Sequence, residues 1–272
     1  MEKKHSLVLL MLALLIGGIV VLNIPTLTAE AQTRASTSFL AFTDTFDSDN
    51  TTLWHKADGW TNGDPFDCWW QADNIIFSGG VLSLQLNDNG CPGGCGGVDY
   101  ASGEYRTNGH YQYGLYSVRM KAVAQAGVVS SFFIYTGPSE GNPWDEIDIE
   151  ITGNNPTKLQ TNYYTDGVGG HEAIIALDID ASDDFHTYSI GWLPNSITWY
   201  VDGNPVYTED GSRGTLPSTP GRIMMNFWPG TDTVNAWLGE FVYANPLQAQ
   251  YDWVSFEPVS WPLKSFLPAV FR

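Results

Sequence analysis

The sequence predicts an all-β fold, a sandwich of two antiparallel sheets, on three observations. Short segments alternate apolar and polar residues with a period of two, turn residues separate them, and no helical periodicity follows the N-terminal apolar run. The composition agrees, because 28 Gly, 11 Trp and 13 Tyr describe a turn-rich β protein with more flat aromatic surface than a core usually needs. Antiparallel sheets of many short strands pack face to face, and a jelly roll with a curved sheet offers a concave groove along which a long ligand can lie.

Taken in order, the chain opens with Lys3 and Lys4, an apolar run over residues 7–22, and Ala29-Glu30-Ala31. This pattern predicts a signal peptide over residues 1–31 and a secreted, extracellular product. The run also approaches the ~17–20 residues that span a bilayer, so an uncleaved anchor is the alternative. A Ser/Thr-containing linker over 32–41 leads into one β domain over 42–258, a length compatible with a single all-β core. Alternating segments lie at 111–123, 185–192, 221–228 and 250–256. Residues 196–201 and 205–208 flank Asp202-Gly203 and form a predicted hairpin, since Asp-Gly suits the positive φ angles of a type I′ turn. Residues 87–97 are a Gly-rich loop, and 259–272 form a Pro-interrupted C-terminal tail.

The formal net charge of −18 with 12 Lys+Arg leaves no basic stripe to neutralise phosphates, which argues against nucleic acid and anionic membranes as partners. In an oxidising compartment Cys68, Cys91 and Cys95 allow one disulfide and one remaining thiol. The tight Cys91–Cys95 turn is favoured over a bridge from Cys68 to either. The five His show no metal-ligand spacing, and His171 is expected to be structural.

The chemistry is concentrated in Trp144-Asp-Glu-Ile-Asp-Ile-Glu150. A strand's period of two sends Trp144, Glu146, Asp148 and Glu150 to one face and Asp145, Ile147 and Ile149 to the other. Three carboxylates without cations are too costly to bury as core, while the two Ile anchor the opposite face. Four residues of strand separate the Glu146 and Glu150 Cα atoms by about 13 Å, and side chains leaning inward would leave about 5 Å. That gap suits a retaining glycosidase, in which one carboxylate attacks and the other is acid and then base. Asp148 between them is expected to hold down the nucleophile's proton affinity by hydrogen bonding and, through its negative charge, to raise that of the acid. Spacing alone leaves the two Glu interchangeable.

Over residues 46–256 the chain resembles bacterial lichenases, the endo-1,3-1,4-β-glucanases of glycoside hydrolase family 16. The runs that carry this are 129–137 (VSSFFIYTG), 143–150 (PWDEIDIE), 162–165 (NYYT), 167–172 (GVGGHE), 223–226 (IMMN) and 251–254 (YDWV). The resemblance implies a β-jelly roll and a monomeric enzyme that cuts β-1,4 bonds in mixed-linkage β-glucan with retention and no catalytic cofactor. It makes Glu146 the nucleophile, Asp148 the assisting carboxylate and Glu150 the general acid/base. It places substrate contacts at Asn62, Glu104, Arg106, Tyr135, Trp144, Asn162, Tyr164, Asn226, Trp228 and Trp237, which suits sugars, because aromatic faces stack on pyranose rings and Asn, Glu and Arg reach hydroxyls. It also implies a structural calcium held by Asp252 with the carbonyls of Thr45 and Gly80.

Two features depart from the family pattern. Lichenases bridge the cysteine at the Cys68 position to one where this chain has Ser102, so that disulfide is absent, and the Cys91-containing insertion lies in the same loop beside the groove. Alternatives are a β-1,3-glucanase or a transglycosylase of the same family and, outside enzymes, a carbohydrate-binding jelly roll. Many laminarinases carry an extra residue before the second Glu, a strand bulge that this sequence lacks.

Overall fold

The computed structural model describes residues 40–88 and 95–259. The expected signal peptide, most of the linker, Cys91 and nearly all of the C-terminal tail lie outside the described residues. Among the described residues no helix is long and apolar enough to cross a membrane.

Two large antiparallel sheets form the sandwich. The first has the order β15 (Asn204–Glu209), β14 (Ser196–Val201), β13 (His186–Leu193), β8 (Gly114–Lys121), β17 (Leu247–Pro258), β5 (Val81–Leu86) and β4 (Ile75–Ser78), with β1 (Phe42–Asp44) also on β17. The second has the order β12 (Ala173–Ala176), β11 (Lys158–Tyr164), β10 (Asp145–Thr152), β9 (Val128–Thr136), β16 (Arg222–Pro229), β7 (Glu104–Thr107) and β2 (Trp54–Lys56). The predicted hairpin is β14–β15, and Asp202 and Gly203 take φ of 48° and 76° as a type I′ turn demands.

Two features were not predicted. β3 (Cys68–Trp70) and β6 (Tyr100–Ser102) pair in parallel, and a single-turn helix α1 covers Asn235–Leu238. Four residues are too few to show a helical period. Cys68 is a free, buried thiol, Cys95 is disulfide-bonded, and Ser102 donates instead to the carbonyl of Phe227.

The core between the sheets positions the chemistry. Ile147, Ile149 and Ile151 of β10 are buried in one core with Tyr188, Ile190 and Trp199 of the first sheet, each Ile contributing roughly 1.5–3 kcal/mol. Two polar ties cross this core to the strands carrying the site. Trp199 Nε1 donates to the Asp148 carbonyl at 2.9 Å, and the Tyr251 hydroxyl donates to the Ser131 carbonyl at 2.9 Å. The face of β10 opposite these ties is therefore held in one register.

Candidate active site

Cross-strand register on the second sheet sets the site out in rungs. Tyr135 of β9, Glu146 of β10 and Tyr164 of β11 form one rung, and Phe133, Asp148 and Asn162 form the next. The third holds Ser131, Glu150 and Gln160. It continues through Asn226 of β16 to Glu104 of β7, while Phe133 continues through Met224 to Arg106. The β10 ladder is unbroken from Glu146 to Glu150 on both sides, so the strand has no bulge between the two carboxylates.

Over these rungs lies a groove of about 870 Å³. Its lining includes all three carboxylates of β10 and every one of Asn62, Glu104, Arg106, Tyr135, Trp144, Asn162, Tyr164, Asn226, Trp228 and Trp237. Trp144 stacks on Tyr164 with centroids 4.7 Å apart, and the Arg106 guanidinium sits 5.0 Å over the Trp60 ring. Trp228 is more buried than a stacking platform should be, at 3% exposed, because Phe66 covers it at 4.2 Å.

The carboxylates differ in their partners. Glu146 accepts from Trp144 Nε1 at 2.6 Å. Burial pushes its pKa up to about 7, against the opposing hydrogen bonds from Trp144 and Asp148 and with added repulsion from Glu104. Burial raises Asp148 well above the ordinary carboxylate range, and the charges of Glu146 and Glu150 raise it further. Both causes favour the protonated form of Asp148, and its hydrogen bond to Glu146 lowers the proton affinity of Glu146. Burial raises Glu150 to about 7, helped by the charges of Glu146 and Glu172 and opposed by the amide of Gln160, which donates at 2.7 Å. Glu104, buried beside Arg106 and Asn226, is also pushed up to about 7 by burial.

Several lining residues were not anticipated from the sequence: Gln160, Glu172, Phe66, Phe133 and Met224 among them. Gln160 was accessible to the period-two argument, since it shares a strand face with Asn162 and Tyr164. Glu172 lies inside a run already noted for its resemblance. Met224 was open to the same argument, since it shares a strand face with Asn226 and Trp228, whereas Phe66 carries no local signal.

Sequence comparison matches residues 62–255 to the glycosyl hydrolases family 16. The chain belongs to glycosyl hydrolase family 16. A β-glucanase of Bacillus subtilis (strain 168) is 46% identical over 247 residues, covering 90% of this chain and 96% of the relative. One from Acetivibrio thermocellus is 47% identical over 258 residues, covering 94% and 73%. Among solved structures, a prokaryotic β-1,3-1,4-glucanase (lichenase) from a mouse hindgut metagenome superposes with a TM-score of 0.77 at 48% identity, covering 81% of this chain and 100% of that one. Family 16 enzymes are retaining glycoside hydrolases that need no catalytic cofactor.

The family's implied calcium ligands come together in part. β1 pairs with β17 so that Asp44 faces Val254, and the Thr45 carbonyl lies 3.9 Å from where a Cβ on Gly80 would stand. Asp252 is the extra residue at the register shift of β17, beside the Trp253 that pairs with Arg119, and its carboxylate is ion-paired with that guanidinium at 2.5 Å. Arg119 also lies 5.0 Å over the Phe185 ring. Among the described residues no group of three or more acidic, His or Cys side chains is arranged so as to hold a metal ion. In this arrangement the Asp252 carboxylate is paired with Arg119, while the Asp47 carboxylate lies 3.6 Å from the same Cβ position on Gly80.

Proposed function

We propose that the chain is a secreted, monomeric endo-glucanase that hydrolyses β-1,4 bonds in mixed-linkage 1,3-1,4-β-glucan with retention of configuration. Glu146 is the nucleophile, Asp148 its proton-bearing partner and Glu150 the general acid/base. The observation that carries the assignment is the asymmetry of hydrogen bonds. Glu146 accepts from both Trp144 and Asp148, which favours its anion, whereas Glu150 has the Gln160 amide and faces the charges of Glu146 and Glu172. The residue better able to hold negative charge attacks, and the one better able to hold a proton delivers it.

In the first step the Glu146 carboxylate attacks the anomeric carbon while Glu150 gives its proton to the departing glycosidic oxygen. The C–O bond breaks and a glycosyl ester forms on Glu146. In the second step the Glu150 carboxylate takes a proton from water as that water attacks the anomeric carbon and releases Glu146. Two inversions give net retention. Trp144, Tyr164, Trp237, Tyr135 and the covered edge of Trp228 bound the sugar rings, and Asn62, Glu104, Arg106, Asn162 and Asn226 meet hydroxyls.

Mixed-linkage rather than pure β-1,3 substrate is supported by the absence of a bulge between Glu146 and Glu150. Export is supported by the basic, apolar and small-residue pattern of residues 1–31. The test is Glu146→Ala: substrate still binds, hydrolysis vanishes, and added azide restores turnover with an inverted glycosyl azide as product. Full activity in that variant sinks the assignment. Product analysis on lichenan, laminarin and xyloglucan checks the linkage, and rapid cleavage of pure β-1,3-glucan would overturn the substrate reading.

A further inference from the structure

Glu172 reaches the groove from a loop rather than from a strand. Residues 165–172 join β11 to β12 and include Asp166, Gly167 and Gly170 at φ of 52°, 77° and 86°. Backbone of this kind holds one shape only if something outside it fixes it. Much of that fixing comes from the segment that follows β15. Arg213 Nη1 donates to the His171 carbonyl at 3.2 Å, and Nη2 donates to the carbonyls of Gly170 at 3.4 Å and Glu172 at 3.2 Å. The same Nη1 pairs with the buried carboxylate of Glu209 at 2.6 Å and reaches the Tyr207 hydroxyl at 2.9 Å. Thr165 Oγ1 donates to the Thr215 carbonyl at 2.7 Å, and a Cβ on Gly214 would stand 2.5 Å from His171 Nε2.

We propose that Arg213 is a positioning residue, a clamp anchored on the edge strand of the first sheet that holds the 170–172 backbone so that Glu172 stays at the groove beside Glu150. Only a guanidinium suits this arrangement. Its planar fork can serve several carbonyls on one side while meeting a carboxylate on another, whereas an ammonium acts as one compact charge. The inference rests on the reading of Glu150 as acid/base.

Glu172 acts on that chemistry through its charge. It accepts from Asn162 Nδ2 at 3.4 Å and is among the groups that raise the proton affinities of Asp148, Glu150 and Tyr164. The other groups facing Glu150 are Glu146 and Asp148 on its own strand, Gln160 and Tyr164 on β11, and, across β16, Glu104 with Arg106 on β7. Releasing the clamp lets Glu172 drift into solvent, which lowers the proton affinity of Glu150. The alkaline limb of the kcat/KM profile, which reports loss of the acid's proton, then moves to lower pH.

The experiment compares the wild type with R213K, R213Q, E172Q and E172Q/R213K on soluble 1,3-1,4-β-glucan, recording kcat/KM against pH and Tm. R213K keeps a cation for Glu209 and so preserves folding even if R213Q does not. Its alkaline limb is expected to fall by about half a pH unit, the effect of moving one partly screened charge by a few Å. E172Q should shift the limb equally, and the double variant should match E172Q alone. A limb unmoved in R213K, or additive shifts in the double variant, overturns the clamp. Failure of the acid/base reading looks different: E150Q would then retain full activity, whereas failure of the clamp alone leaves E150Q inactive.

Discussion

The Gln160 amide donates to the Glu150 carboxylate at 2.7 Å from the facing position on the neighbouring strand, and its oxygen accepts from Trp237 Nε1 at 2.9 Å. One side chain thus joins Glu150 to an aromatic wall of the groove. Its hydrogen bond favours the charged form of Glu150 and so pulls against burial. Gln160→Leu removes that pull and raises the proton affinity of Glu150. The alkaline limb of kcat/KM should move to higher pH, opposite in sign to the Arg213 and Glu172 variants, with kcat reduced roughly 10-fold by slower deprotonation of water. A limb that moves down instead would mean that Gln160 does not bind the anion.

Asp148 is expected to keep its proton at neutral pH, because burial and two flanking carboxylates oppose its ionisation. A residue that serves as a donor is replaceable by another donor. Asp148→Asn should therefore retain activity to within about 10-fold, while Asp148→Leu, which removes the donor to Glu146, should lose about 10²-fold or more in kcat. Steady-state rates of the two variants decide this, and equal losses in both would show that Asp148 must ionise during turnover.

Glu104 illustrates the cost of the site. Its carboxyl is 2% exposed, and burial raises its pKa from an ordinary 4.5 to about 7. Because the folded value lies above the unfolded one, the stability tied to its proton is present below about pH 4.5 and is lost as pH rises toward 7. Glu104→Gln keeps the shape and removes the charge. Thermal unfolding at pH 8 should shift up by about 2–4 °C, corresponding to roughly 1 kcal/mol, while KM rises because one of two acceptor oxygens in the groove becomes an amide donor. A lower Tm at pH 8 would contradict the cost assigned to this buried charge.

What the sequence made legible followed locality. Period-two patterning places Glu146, Asp148 and Glu150 on one face because strand geometry acts over neighbouring residues, and Asp202-Gly203 marks its hairpin for the same reason. Gln160 could be assigned to the groove face, but its bond to Glu150 depends on the register between β10 and β11, which no local pattern specifies. Glu172 reaches the site only through positive-φ backbone held by a residue 41 positions further along. Asp148's raised proton affinity is a collective property of burial and like charges, invisible until the rungs are assembled.

The Arg119–Asp252 pair is the longest-range case, joining residues 133 apart at the register shift of β17. The chain supplies its own cation at the corner where Thr45 and Gly80 also lie. Both side chains are about one-third exposed, so the pair itself contributes little, about 0–1 kcal/mol. Its larger effect is to occupy the Asp252 carboxylate, the one the family pattern assigns to calcium. Wild-type Tm should stay within about 1 °C between chelator and 10 mM calcium, given a benefit of RT ln(1 + [L]/Kd) that vanishes when the site is blocked. Arg119→Ser frees Asp252, and with a Kd of about 1 mM for a site of one carboxylate and carbonyls, 10 mM calcium should add roughly 1.4 kcal/mol and raise Tm by about 3–5 °C. Calorimetry of both proteins with and without calcium separates the cases. A wild type that loses several degrees in chelator would show that calcium displaces Arg119 from Asp252.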